Sequence, residues 1–120
     1  MKIKKNLKKQ FDLKMLEVLK QTLLDDKVIN LKIIDIRKKS DFADFIILGS
    51  GTSNRHIVNM AKNIREKIKK NFNFNAPVEG LEQSNWVLID ASSIVVNIFR
   101  PEAREFYNLE KMWSELIPKE

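Results

Sequence analysis

The chain predicts a mixed α/β domain built on a single mixed five-stranded sheet flanked by helices. Apolar residues recur at helical spacing in two long stretches, and five short runs rich in β-branched or aromatic residues lie between and after them. The link between the first two of those runs is too short for the crossover that a parallel pair requires, so at least one antiparallel pair is expected and a pure parallel sheet is disfavoured.

Phe11, Leu13, Met15, Leu16, Leu19 and Leu23 predict an amphipathic helix over residues 12–25, with lysines toward water and Asp25-Asp26-Lys27 ending it. Leu31 to Ile36 reads as a strand through Ile33, Ile34 and Ile36, whose branched Cβ atoms favour extended backbone. Phe45 to Leu48 is continuously apolar, hence a buried strand. It opens into Gly49-Ser50-Gly51-Thr52-Ser53, a loop whose glycines allow positive φ. Ser53 or Thr52 caps the next helix, on which Ile57, Met60, Ala61, Ile64 and Ile68 form the apolar stripe while Lys62, Arg65, Lys69 and Lys70 fall mostly off it. Asparagines over residues 71–75, then Pro77, end that helix.

Val78 begins a short extended piece; Trp86–Asp90 and Ile94–Phe99 follow as strands, joined by Ala91-Ser92-Ser93 as a hairpin. Alternation puts Trp86, Leu88 and Asp90 on one face and Val87 and Ile89 on the other, so one face is core and the other is presented. Pro101 suits the first turn of a tail helix reaching Leu116. The organisation expected is a basic N-terminal extension over residues 1–10, one domain over 11–117, and a tail over 118–120.

At 120 residues and 43% apolar content, one domain with one modest core is expected. Cysteine is absent, which removes disulfides, thiolate catalysis and Cys-based zinc sites and fits a reducing, cytoplasmic setting. Runs such as Phe45–Leu48 and Trp86–Ile89 are far shorter than the roughly 20 residues that a membrane helix needs. Asp12, Lys14 and Glu17 interrupt any signal-peptide core. Charge is uneven: residues 1–70 hold 18 basic and 8 acidic side chains, residues 71–120 hold 4 and 8. The basic half would attract a polyanion, although lysine makes up 17 of the 22 cations, as a general lysine bias also would.

No catalytic constellation emerges. The Gly49–Ser53 loop is not a P-loop, and Asn54 stands where a dinucleotide fingerprint needs its third glycine. Strand, Gly-Ser, helix looks like the opening of a nucleotidyltransferase-type domain, but such enzymes need a downstream carboxylate pair for metal ions, and the helix offers only Glu66. Asp41, Asp44 and Asp90 would have to converge with His56 or Glu79 to hold a metal; turn and cap roles are the simpler reading. His56 has no second histidine for zinc and no nucleophile to serve. The expectation is therefore no enzyme, no cofactor, no metal and no small-molecule substrate. What remains is a docking surface in which Phe99, Phe106, Tyr107 and Trp113 are interleaved with Arg100, Glu102, Arg104, Glu105 and Glu110.

Several pieces together resemble one family. They are Ala43-Asp44-Phe45-Ile46-Ile47 with Gly49, Thr52, Ser53, Arg55 and His56; Glu79-Gly80; Trp86 with Asp90; Val95-Val96 with Phe99; and Arg104-x-Phe106-Tyr107-x-Leu109-Glu110-x-x-Trp113. From about Leu13 to Trp113 the chain resembles the ribosomal silencing factors, the RsfS or Iojap-like family. The resemblance implies a nucleotidyltransferase-like fold without the catalytic acids. It also implies binding to the large ribosomal subunit through its ribosomal protein fourteen, a steric block to joining of the small subunit, and repression of translation when nutrients are short. It places Trp86 at the partner, with Asp90, Tyr107 and Glu110 as neighbours. Asn97 stands where the family usually has histidine, and Ala91-Ser92-Ser93 replaces a Gly-Asp turn. The N-terminal lysines lie outside the resemblance and are candidates for ribosomal RNA contact; a homodimer is a further option. Two other functions stay open: a nucleotide-binding, nucleotidyltransferase-like enzyme and a general rRNA-binding assembly factor.

Overall fold

Helix formation is clearest where the apolar period is cleanest. Ile57, Met60, Ala61, Ile64 and Ile68 are all buried along one side of α2 (Asn54–Phe72), as their spacing predicts. Ser53 caps its start, its Oγ accepting from the His56 amide at 3.1 Å, and Asn73 ends it in the left-handed region at φ 53°, a conformation asparagine tolerates. The computed structural model describes residues 2–39, 41–107 and 111, with side chains described over 9–39, 41–104 and at 111.

The remaining elements are α1 (Lys2–Asp25), β1 (Ile29–Asp35), β2 (Phe45–Ser50), β3 (Val78–Glu79), β4 (Trp86–Ala91), β5 (Ile94–Phe99) and α3 (Pro101–Tyr107). The strands form one five-stranded sheet in the order β1-β2-β5-β4-β3. Only β2 and β5 run parallel, joined by the crossover that contains α2; the other pairs are antiparallel, β1 with β2 among them as expected. The chain is thus a mixed α/β domain, a mixed sheet flanked by helices. No helix among the described residues is long and apolar enough to cross a membrane.

Both α1 and α2 lie on one face of the sheet. Met15, Leu19 and Leu23 of α1 and the α2 stripe meet Phe45, Ile47, Val87, Ile89, Ile94, Val96 and Ile98 in the main core. A smaller cluster on the opposite face holds Ile34, Ile36, Ala43, Ile46, Leu48 and Phe99, with Trp86, Val95 and Ala103 packed on it.

The structure corrects the expected α1 in two ways. The helix already runs from Lys2, taking in residues assigned to a basic extension, and its buried side is Asp12, Met15, Leu19, Thr22 and Leu23, while Leu13 is 42% exposed. Two polar residues share that side because each finds a partner: Asp12 Oδ1 accepts from Ser93 Oγ at 2.7 Å, and Thr22 Oγ1 donates to the Val18 carbonyl at 2.7 Å. Lys27 closes the helix at φ 60°, with its amide on the Leu24 carbonyl and the Val28 amide on the Leu23 carbonyl, a Schellman turn. That turn folds Val28 back onto the main core.

The Gly49–Ser53 segment also differs from expectation. Gly49 and Ser50 belong to β2, and neither Gly49 nor Gly51 takes positive φ. Their missing side chains matter for space: a Cβ on Gly49 would stand 2.6 Å from Val28 Cγ2, and one on Gly51 2.6 Å from Ile57 Cγ1. The tail helix reaches Tyr107 with Lys111 helical again, while its predicted continuation to Leu116 lies outside the described residues.

Candidate functional site

The sheet face turned away from α1 and α2 gathers the sequence-predicted site residues that the structure describes. Antiparallel pairing sets Trp86 opposite Phe99 and Leu88 opposite Asn97, so Trp86 and Asn97 are diagonal neighbours within reach of a large side chain. Indeed the indole Nε1 donates to Asn97 Oδ1 at 2.9 Å, and the indole leans on the Phe99 ring, centroids 5.9 Å apart. An indole N–H can only donate, so this bond fixes which way the amide points. The Asn97 Nδ2 is left buried with no hydrogen-bond partner among the described residues. Trp86, Leu88 and Val95 are half-buried around it.

A glycine turn delivers Trp86 to this place. Gly80 sits at φ 89°, and a Cβ there would lie 2.2 Å from the Trp86 carbonyl oxygen, so only glycine lets this backbone pass so close. The turn is closed by the Ser84 amide on the Gly80 carbonyl at 2.9 Å and by Ser84 Oγ on the Leu81 carbonyl at 2.8 Å. The Arg100 amide, on the Asn85 carbonyl at 3.2 Å, ties the other end of the pair.

The other expected contacts divide. Asp90 shares the face of Trp86 but lies four residues along the strand, about 13 Å away, where its Oδ1 accepts from the Ser92 amide at 3.0 Å and steadies the hairpin with Ser92 at φ 66°. The Tyr107 backbone ends α3 and its side chain lies outside the described residues, as does the whole of Glu110. Phe99, counted among the presented rings, is fully buried beneath Trp86. Arg104 is also a structural residue: its Nη1 donates to the Asn30 carbonyl at 2.7 Å and to Ser50 Oγ at 3.2 Å, pinning α3 to the sheet. The carbonyl is available because β1 breaks its pairing register between Ile29 and Lys32, with Asn30 at φ 51°. A charged surface motif in the sequence gives no sign of that burial.

Several donors of the candidate nucleotide loop are already committed. The Gly51 amide binds the Phe99 carbonyl at 2.9 Å, the Thr52 amide binds His56 Nδ1 at 2.9 Å, and the His56 and Ile57 amides bind Ser53. His56 Nε2 lies 2.6 Å from the Asp26 carbonyl, which can only accept, so the ring carries its proton on Nε2 and braces the end of α1 against the loop. His56 is therefore a strut, and it stands far along β2 from Asp41 and Asp44, which line a cleft of about 320 Å³ with Asp12 and Phe42. No group of three or more metal-ligating side chains occurs among the described residues.

Comparison with known proteins identifies the family of the chain. The model of the family described as "Ribosomal silencing factor during starvation" matches residues 9–120. A ribosomal silencing factor of Zymomonas mobilis is 39% identical over 100 residues, covering 83% of this chain and 75% of that protein. The mouse protein called mitochondrial assembly of ribosomal large subunit protein 1 is 30% identical, covering 88% of this chain and 46% of the mouse sequence. A crystal structure of a Chromobacterium violaceum protein superimposes with a TM-score of 0.81 at 27% identity, covering 89% of each chain. By the extent of the family match and the identity of these relatives, the chain belongs to the ribosomal silencing factor family.

Proposed function

We propose that this protein is a non-enzymatic, cytoplasmic repressor of translation that docks its Trp86 face on the large ribosomal subunit, through ribosomal protein fourteen, and so obstructs joining of the small subunit. The observation that carries this reading is the half-buried Trp86, fixed by Asn97 and Phe99 on the sheet face opposite the two long helices. An aromatic already held in one orientation loses little conformational freedom on binding, and tryptophans of this kind dominate interface energies. Asn97 lies beside it with a committed acceptor and an unspent donor. Asp90, Tyr107 and Glu110 are assigned to the periphery of the same contact. Family membership supports ribosome association, and the family's description supports action during starvation.

Obstruction needs no chemistry: a domain bound to a shared surface excludes the second body in proportion to its occupancy. The test is Trp86→Ala in a pull-down with purified large subunits, paired with subunit association followed by light scattering. Loss of about 2 kcal/mol or more of binding is expected, roughly thirtyfold in affinity, with the block to association lost in parallel. Undiminished binding by the variant overturns the assignment of this face.

The mouse relative's name favours a second use of the same surface, in assembly of the large subunit. Depleting the protein and observing normal large-subunit precursors would remove that reading while leaving the block to joining in place.

A further inference from the structure

On the opposite side of the molecule, α2 is the most strongly basic element of the chain. It carries six basic residues against the single acid Glu66, a balance of +5 in a protein whose total is +6. All six are exposed, and four of them, Arg55, Lys62, Arg65 and Lys69, share one side of the helix. At 3.6 residues per turn they fall within an arc of about 80°, pointing away from the buried stripe, and form a straight row about 21 Å long. Lys62, Arg65 and Lys69 line an open cleft of about 470 Å³ with Glu66 and Asn75.

Helix electrostatics do not account for the row. Lys69 sits favourably in the last turn, but Arg55 lies in the first, where the helix dipole disfavours a cation, and that turn has no acid to offset it. None of the four is ion-paired among the described residues; Lys69 donates instead to Asn73 Oδ1 at 3.2 Å. The flank facing α1 differs, since Lys67 and Lys70 share their cleft with Asp25 and Asp26. Charge is thus closely balanced on the flank facing α1, whereas on the other side Glu66 alone stands against four cations.

We infer that this row is a binding site for the phosphate backbone of RNA. A regular line of long cationic side chains suits a polyanion of repeating charge and requires no base readout. Insertion into a membrane surface does not fit, because it needs an apolar face, and that of α2 is wholly within the core. RNA as the polyanion rests on the ribosome-docking reading, but the residues are different and lie across the sheet from Trp86. The protein therefore has two contact surfaces, one for protein and one for RNA.

Fluorescence anisotropy with a labelled oligoribonucleotide, titrated at salt from about 50 to 200 mM, tests the row directly. Replacing Arg55, Lys62, Arg65 and Lys69 by glutamine should lower affinity at least about tenfold at the lowest salt. The slope of log affinity against log salt should flatten by about 0.7 for each phosphate that the variant no longer neutralises. Trp86→Ala should bind RNA as the wild type does. Wild-type affinity and slope in the fourfold variant overturn the inference, as does failure of the wild type to bind at low salt. Glutamine is a good helix former, and circular dichroism checks the fold. Should the fourfold variant melt early, Arg65→Glu alone, at one exposed position, should still weaken binding, and unchanged affinity there overturns the inference equally. Failure of the docking reading shows separately, as subunit binding retained by Trp86→Ala.

Discussion

The two faces of the sheet are held by different physics. Among the described residues, seventeen buried apolar side chains form the main core beneath α1 and α2; the opposite face has six, together with the buried polar groups of Ser50, Asn97 and Arg104. The first face owes its stability to area removed from water, a term that is large and indifferent to direction. The second depends on a few directed bonds, which contribute less energy but fix where Trp86 and α3 stand. Stability and presentation are thereby separated onto opposite sides of one sheet, and substitutions should separate them too.

The largest effect belongs to the covered face. Ile64→Ala, at a fully buried position of α2, should destabilise the fold by about 2–5 kcal/mol through lost transfer energy and the cavity left behind. Urea denaturation measures this, and subunit binding by the fraction still folded should be unchanged. A loss below about 1 kcal/mol would show that the core collapses into the gap, against the dense packing assigned here.

Next comes the directed face. Arg104→Ala removes a buried guanidinium that bonds the Asn30 carbonyl and Ser50 Oγ, so a loss of about 1.5–3 kcal/mol is expected. Amide exchange should rise first in α3, because the arginine is what pins that helix. If exchange rises evenly across the protein instead, α3 does not depend on this anchor.

The same division explains what could be read from the sequence. The α2 stripe and the alternation along β4 are legible because burial on the covered face follows the helical and strand periods directly. On α1, Leu13 misleads because Asp12 takes the buried position through a bond to Ser93, 81 residues away, and a polar residue gives no apolar signal. Gly49 and Gly51 look like flexible hinges in sequence and are close-packing positions in the fold, while the glycine at positive φ is Gly80. Trp86 and Asn97 can each be singled out from sequence, but their bond requires the β4–β5 register, which alternation alone does not give.

The smallest effect lies at the rim of the covered face, and it distinguishes charge from packing. Arg37 grips the Asp35 carboxylate with Nε and Nη2, at 3.0 and 2.6 Å, and also places its guanidinium 5.0 Å over the Phe45 ring. Its hydrogen bonds hold the Asp35 carboxyl below the usual value of 3.8. Since the folded-state pKa is the depressed one, the pair adds stability above that usual value and loses it as pH falls through the lower folded one. With both side chains more than two-fifths exposed, at 43% and 48%, the contribution should be only a few tenths of a kcal/mol and should shrink in salt. Asp35→Asn removes the charge pair and leaves Arg37 over Phe45, whereas Arg37→Gln removes both. The Asp35→Asn difference from wild type should vanish between about pH 6 and about pH 2, while part of the Arg37→Gln difference persists. Were both differences to vanish together on acidification, the contact with Phe45 would contribute nothing and the rim would be held by charge alone.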